Sequence, residues 1–179
     1  MLAGLMDWGR PVSYLVGAEL ETLKQKIIQN IQSAGAVATG KTIQSLAVQH
    51  RPDGGALVFR GRMPFGVLET GRKGGAVPRA FASIIYQWMQ AKGVHASPMP
   101  YKRNGLHKYA NAQERGDYTM ASAIAHTIAK SGTRLFRQGG RDTIYSKEIP
   151  QTVATIKDAV LKLAVTQVKS IKLNGGNTI

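Results

Sequence analysis

The string Gly35-Ala36-Val37-Ala38-Thr39-Gly40-Lys41-Thr42 fits the phosphate-loop pattern G-x-x-x-x-G-K-[ST]. In that motif backbone amides wrap the phosphates, the lysine reaches the outer phosphates and the hydroxyl holds magnesium. The chemistry needs a buried strand immediately before the loop and a long helix after it. Neither is legible here. Residues 20–31 repeat apolar side chains at helical spacing and carry Lys24, Lys26 and Gln29. The next helix has room only to about Leu46 before a hairpin signal. No apolar strand ending in Asp follows: Asp7, Asp53, Asp117, Asp142 and Asp158 fall in turns, caps or helix faces. The string reads as a small-residue linker into a capped helix.

Other reactive constellations are thin. His50, His95, His107 and His126 show no ligand spacing with a carboxylate partner. With no cysteine there is no disulfide and no thiolate site, and a reducing compartment is the simple expectation. No G-x-S-x-G elbow occurs, and the few carboxylates form no evident acid–base pair. The expectation is therefore no catalytic residue, no cofactor and no metal.

Charge carries more. Lys and Arg number 24 against 10 Asp and Glu, a formal net charge of +14. Such a chain associates with polyanions, either nucleic acid or an acidic protein surface. Arg60, Arg62, Arg72, Lys73 and Arg79 gather around a glycine-rich segment, and Arg134, Arg137 and Arg141 form a second group. Between them Lys102 and Arg103 lie in a long polar stretch with Tyr101 and Tyr109 interleaved. These ten cations are the candidate contacts to DNA phosphates or to a partner. Their bland reading is a solvated surface. No helix-turn-helix, zinc-finger or aromatic RNA-binding pattern appears, so sequence-specific readout is not expected.

The elements that must position these loops follow from periodicity. Val16, Leu20, Leu23, Ile27 and Ile31 predict an amphipathic helix over 13–33. Alternation on either side of Pro52-Asp53-Gly54-Gly55 predicts a hairpin at about 46–62. Phe81, Ile84, Ile85, Trp88 and Met89 predict a helix ended by Gly93, its aromatic stripe read as core. Asp117 is expected to cap a helix to 131 with Ala121, Ile124, Ala125 and Ile128 inward, stopped by Gly132. Residues 143–146 suit a short strand. Ile149, Val153, Ile156, Val160, Leu163, Val168 and Ile171 predict a long C-terminal helix from about Pro150. The sum is an α+β fold: a small antiparallel sheet packed with about four helices. It is expected as one domain over 1–179, with a long polar insertion at about 94–116 and flexible termini. No apolar run approaches the roughly 18 residues of a membrane helix, and no signal peptide or membrane association is expected.

Three strings carry a family resemblance. Thr39-Gly40-Lys41-Thr42-Ile43-Gln44-Ser45-Leu46 resembles a T-G-x-L-x-x-S segment that follows a first helix. Pro64-Phe65-Gly66-Val67-Leu68-Glu69-Thr70-Gly71 resembles Y-x-x-x-[VL]-E-x-G. Ala123-Ile124-Ala125-His126-Thr127-Ile128-Ala129-Lys130-Ser131-Gly132-Thr133 is similar to A-x-x-I-A-x-x-I-x-x-x-G-T. Together they resemble the tail-completion and head–tail connector proteins of tailed bacteriophages, also called minor tail or neck proteins. The resemblance implies a non-enzymatic virion subunit at the head–tail junction, assembled in the host cytoplasm as a homo-oligomeric ring. It implies portal, adaptor or tail proteins as partners and packaged DNA in the lumen. The alternatives are a nonspecific nucleic-acid-binding protein and a nucleotide-dependent enzyme built on Lys41.

Overall fold

Apolar residues one helical turn apart build the first element. In α1 (Gly9–Ser33) Leu23, Ile27 and Ile31 stack on one face and are buried. The computed structural model describes residues 9–50, 57–61, 65–100 and 108–174. Their contacts gather into two compact units. One comprises residues 1–35, 42–63 and 142–179; the other comprises 36–41 and 64–141.

In the first unit α1 packs along α7 (Glu148–Asn174) and against two short strands, β1 (Ala47–His50) and β2 (Leu57–Arg60). The strands pair antiparallel, with Val48 opposite Phe59 and Gln49 opposite Val58. Ile144 is fully buried just before α7, and its carbonyl accepts a 3.1 Å hydrogen bond from Asn30 Nδ2. Lys26 Nζ lies 3.6 Å from Glu148 Oε2, a second tie between α1 and the start of α7. A single turn, α2 (Lys41–Gln44), precedes the buried Leu46 and β1.

Among the described residues of the second unit the regular elements are helices joined by loops. Short α3 (Val67–Thr70) leads by a loop to α4 (Phe81–Lys92), which packs on α5 (Ala112–Ser131). Met89 of α4 is fully buried, and α5 meets it with Ala121 and Ala125, both buried. Small residues at that seam let the helix axes approach. Gly93 ends α4 in the left-handed conformation. One further turn, α6 (Arg134–Arg137), follows α5 and packs on α3.

Several expectations are corrected. The α+β fold with an antiparallel sheet does not hold: the chain is mostly helical. Strand geometry among the described residues is confined to β1 and β2, four residues each, which build no sheet layer for helices to cover. Helical spacing wins because it runs for six or seven turns in α1 and α7, whereas alternation lasts one short ribbon. Residues 143–146 form turns rather than a strand. Asn111, not Asp117, caps α5: its side chain accepts from the Glu114 amide at 2.8 Å, while Glu114 Oε2 accepts from the Ala110 amide. The helix therefore starts one and a half turns earlier, and Asp117 is inside it. Ile84 and Trp88 of α4, and Val153 and Val168 of α7, are exposed rather than core. The turn at 52–55, residues 101–107 and both termini lie outside the described residues.

Ile27 is 1% exposed at the centre of the α1 stripe. Truncation to alanine removes its apolar contacts and leaves a cavity, so Ile27→Ala should cost about 2–5 kcal/mol of stability in denaturant unfolding followed by circular dichroism.

Candidate functional site

The loop after α3 is glycine-rich and cationic, and it docks on the α5–α6 junction through its backbone. The Arg72 amide donates to Thr133 Oγ1 at 2.9 Å, and the Arg72 carbonyl accepts from the Thr133 amide at 2.9 Å. Gly75 donates to the Ala129 carbonyl at 2.7 Å. Thr133 Oγ1 also accepts from the Phe136 amide, which starts α6. At the far end the Arg141 amide donates to the Glu69 carbonyl at 2.9 Å, and Arg141 Nε donates to the Leu68 carbonyl at 2.8 Å.

Only glycine fits two points of this lock. Gly71 has φ +69°, and a Cβ there would run into the Phe136 amide. Gly132 has φ +78°, and a Cβ would stand 2.6 Å from the Arg72 carbonyl oxygen. Both demand the left-handed region and the absence of a side chain.

The consequence is electrostatic. Two basic groups that lie some sixty residues apart in sequence meet on one unit. Lys73 and Arg79 from the loop, Lys130 from α5, and Arg134 and Arg137 from α6 are exposed, and none forms an ion pair among the described residues. The nearby carboxylate, Glu69, is 2% exposed and cannot neutralise the surface from outside. A face of this kind attracts polyanions.

The ten sequence candidates divide accordingly. Lys73, Arg79, Arg134 and Arg137 are free to meet a partner. Arg72 is committed to its own loop: the guanidinium sits 5.4 Å from the Phe81 ring centroid and donates to the Ala76 carbonyl at 2.5 Å. Its Nε is buried with no partner among the described residues. Arg141 is likewise a brace. Arg60 lies on β2, in the other unit. Arg62, Lys102 and Arg103 lie outside the described residues. Sequence reading missed Lys130, which sits on a helix flank with nothing in its spacing to mark it.

Beside the cations runs an open apolar groove of about 340 Å³. Ala123, Ile124, Thr127 and Ile128 of α5 form its floor, and Arg134 and Arg137 of α6 stand at its end. Ile124 and Ile128 were expected inward; they are half-buried because they line this groove.

On the same unit Asp117 anchors residues 95–99. Its Oδ1 accepts from the Ala96 amide at 2.7 Å and from Gln113 Nε2 at 2.9 Å. His95 Nδ1 lies 2.9 Å from Oδ2, and Gln90 Nε2 donates to the same oxygen. The His95–Asp117 pair spans residues too far apart for ligand-spacing rules to flag. Next to it Tyr118 stacks with Tyr86 and Tyr109, and Lys108 Nζ sits 5.5 Å from the Tyr118 ring centroid.

Around Gly35–Thr42 the element before the string is the helix α1, and the element after it is the single turn α2. Lys41 is exposed. Among the described residues no three histidine or acidic side chains group as metal ligands, and no helix is long and apolar enough to cross a membrane.

Comparison with protein-family models, curated proteins and solved structures finds no match to this chain.

The hydrogen bond with His95, then that from Ala96, hold the Asp117 carboxyl at about 2, below its ordinary 3.8, against the opposing effect of burial. A depressed carboxylate stabilises the folded form fully above pH 3.8, and the contribution disappears as pH falls towards 2. Hydrogen exchange should show the Ala96 amide protected above that window and opening within it. In Asp117→Asn the protection should be weaker above that window and should not change across it.

Proposed function

We propose that this chain is a virion structural subunit of the head–tail junction of a tailed bacteriophage, a neck, connector or tail-completion protein that assembles as a homo-oligomeric ring. The observation that carries the assembly reading is on α7. Val153, Leu161, Val165 and Val168 each leave half or more of their surface in solvent. Leu161, Val165 and Val168 follow one side of the helix, distinct from the side where Ile156, Val160 and Leu163 are half-buried; Val153 lies in line with Val160. A second apolar side on a surface helix has no use in an isolated subunit and marks a protein contact. A repeated head-to-tail contact closes into a ring when its rotation allows. The resemblance of the three strings supplies the place in the virion, with portal, adaptor or tail proteins as neighbours.

The cationic face suits the same setting, since a ring threaded by DNA gains from phosphate contacts that need no base recognition. It also favours a second reading, a nonspecific nucleic-acid-binding protein. The Lys41 string supports no third reading, because it follows a helix where a phosphate loop requires a strand.

Analytical ultracentrifugation separates the two. The ring reading expects a closed oligomer, formed alone or on mixing with portal and tail components, that Leu161→Glu with Val165→Glu reduces to monomer without loss of helicity. A chain that stays monomeric with those components present overturns it. The second reading expects the isolated subunit to bind duplex DNA with affinity falling steeply with salt, by about 10³-fold or more between 50 and 200 mM if six phosphates are neutralised.

A further inference from the structure

The groove on α5 has a chemistry that DNA would not use. Met120, Ala123, Ile124, Thr127 and Ile128 recur at the spacing of one helix side. Ala123 and Thr127 are exposed, Ile124 and Ile128 are half-buried, and all four line the groove. The Phe136 ring stands over Gly132 at the end, 39% exposed. Lys130, Arg134 and Arg137 border the same end with no carboxylate opposite them among the described residues.

We propose that this groove receives an acidic amphipathic helix of a different protein, its apolar side laid along α5 and its carboxylates meeting Arg134 and Arg137. Helix-in-groove docking reads a partner by apolar anchors one turn apart, which is the spacing α5 presents. Charge complementarity then fixes direction and excludes wrong partners. A second copy of this chain does not qualify. Among its described carboxylates Glu21, Glu148 and Asp142 are paired with Lys24, Lys26 and Lys147, and Glu69 and Asp117 are buried. Glu19, Glu114 and Asp158 remain, one each on α1, α5 and α7, so among the described residues no helix offers a flank of several unpaired carboxylates. Duplex DNA would satisfy the arginines but leave the isoleucine-lined floor unused. The proposal rests on the assembly reading in that it gives the subunit a protein neighbour.

The test uses the full chain and a synthetic helical peptide with leucine on one side and glutamate on both flanks, read by fluorescence anisotropy at near-physiological salt. The peptide is expected to bind saturably. Replacing its glutamates by glutamine, substituting Arg134→Glu with Arg137→Glu, or filling the floor with Ala123→Gln should each weaken binding by about tenfold or more, while Lys162→Ala with Lys169→Ala, exposed on α7 of the other unit, should change it less than twofold. Retained exchange protection at Met89 and Ala121 certifies that each variant is folded. Equal binding of polyglutamate, equal competition by duplex DNA, or indifference to Ala123→Gln would reduce the groove to general cation attraction and overturn the proposal, as would no binding at all. Ring mass, measured on the same samples, keeps the two ideas apart: a ring that ignores the peptide removes the groove alone, and a monomer that binds it removes the ring alone.

Discussion

The Arg72 amide donates to the Thr133 hydroxyl and the Thr133 amide donates back to the Arg72 carbonyl, and the cationic surface depends on that exchange. Without it the segment 72–79 and the segment 130–141 are two separate basic loops. Like charges repel over about a Debye length, roughly 8 Å at physiological ionic strength, so bringing them together is unfavourable. Charge pairing does not offset that cost here, because no exposed acid lies among them. Backbone hydrogen bonds do, together with the close approach that Gly71 and Gly132 permit. The result is a surface of exposed cations without ion pairs among the described residues, the property the proposed assembly would use.

The unit's other devices serve the same end. Met89, Ala121 and Ala125 pack α4 on α5, and the groove lies on the neighbouring side of α5. Asp117 ties His95 and Ala96 to that helix, and its oxygens also accept from Gln113 of α5 and Gln90 of α4. In the other unit α7 uses one side on α1 and leaves its second apolar side in solvent. These surfaces, one cationic and two apolar, are the ones the proposed assembly would use.

Long periodic stretches were legible from residues alone: α1, α4, α5 and α7 each announce themselves by helical spacing, and the stops at Gly93 and Gly132 follow from glycine's access to positive φ. Fold class was not legible, because alternation over four residues on each side of a turn looks like a sheet wherever it occurs, and only tertiary context shows that among the described residues nothing pairs beyond the ribbon. Asp117 was misread for a related reason. An aspartate before an apolar run resembles a cap, but Asn111 outcompetes it and Asp117 bonds across sequence to Ala96. Spacing could flag Ile84, Trp88, Val153 and Val168 as apolar-side residues; it could not say which apolar side of a helix finds a partner within the chain. The basic residues were found by counting, but their sorting into contacts and braces, with Arg72 and Arg141 among the braces, needed the geometry.

The most direct measurement is hydrogen exchange on Gly71→Ala alongside its affinity for heparin. The substitution removes no cation. If backbone docking makes one cationic face, the Thr133 and Gly75 amides lose protection, Met89 and Ala121 keep theirs, and heparin affinity falls. Unchanged protection at Thr133, or undocking that leaves heparin affinity untouched, contradicts the account.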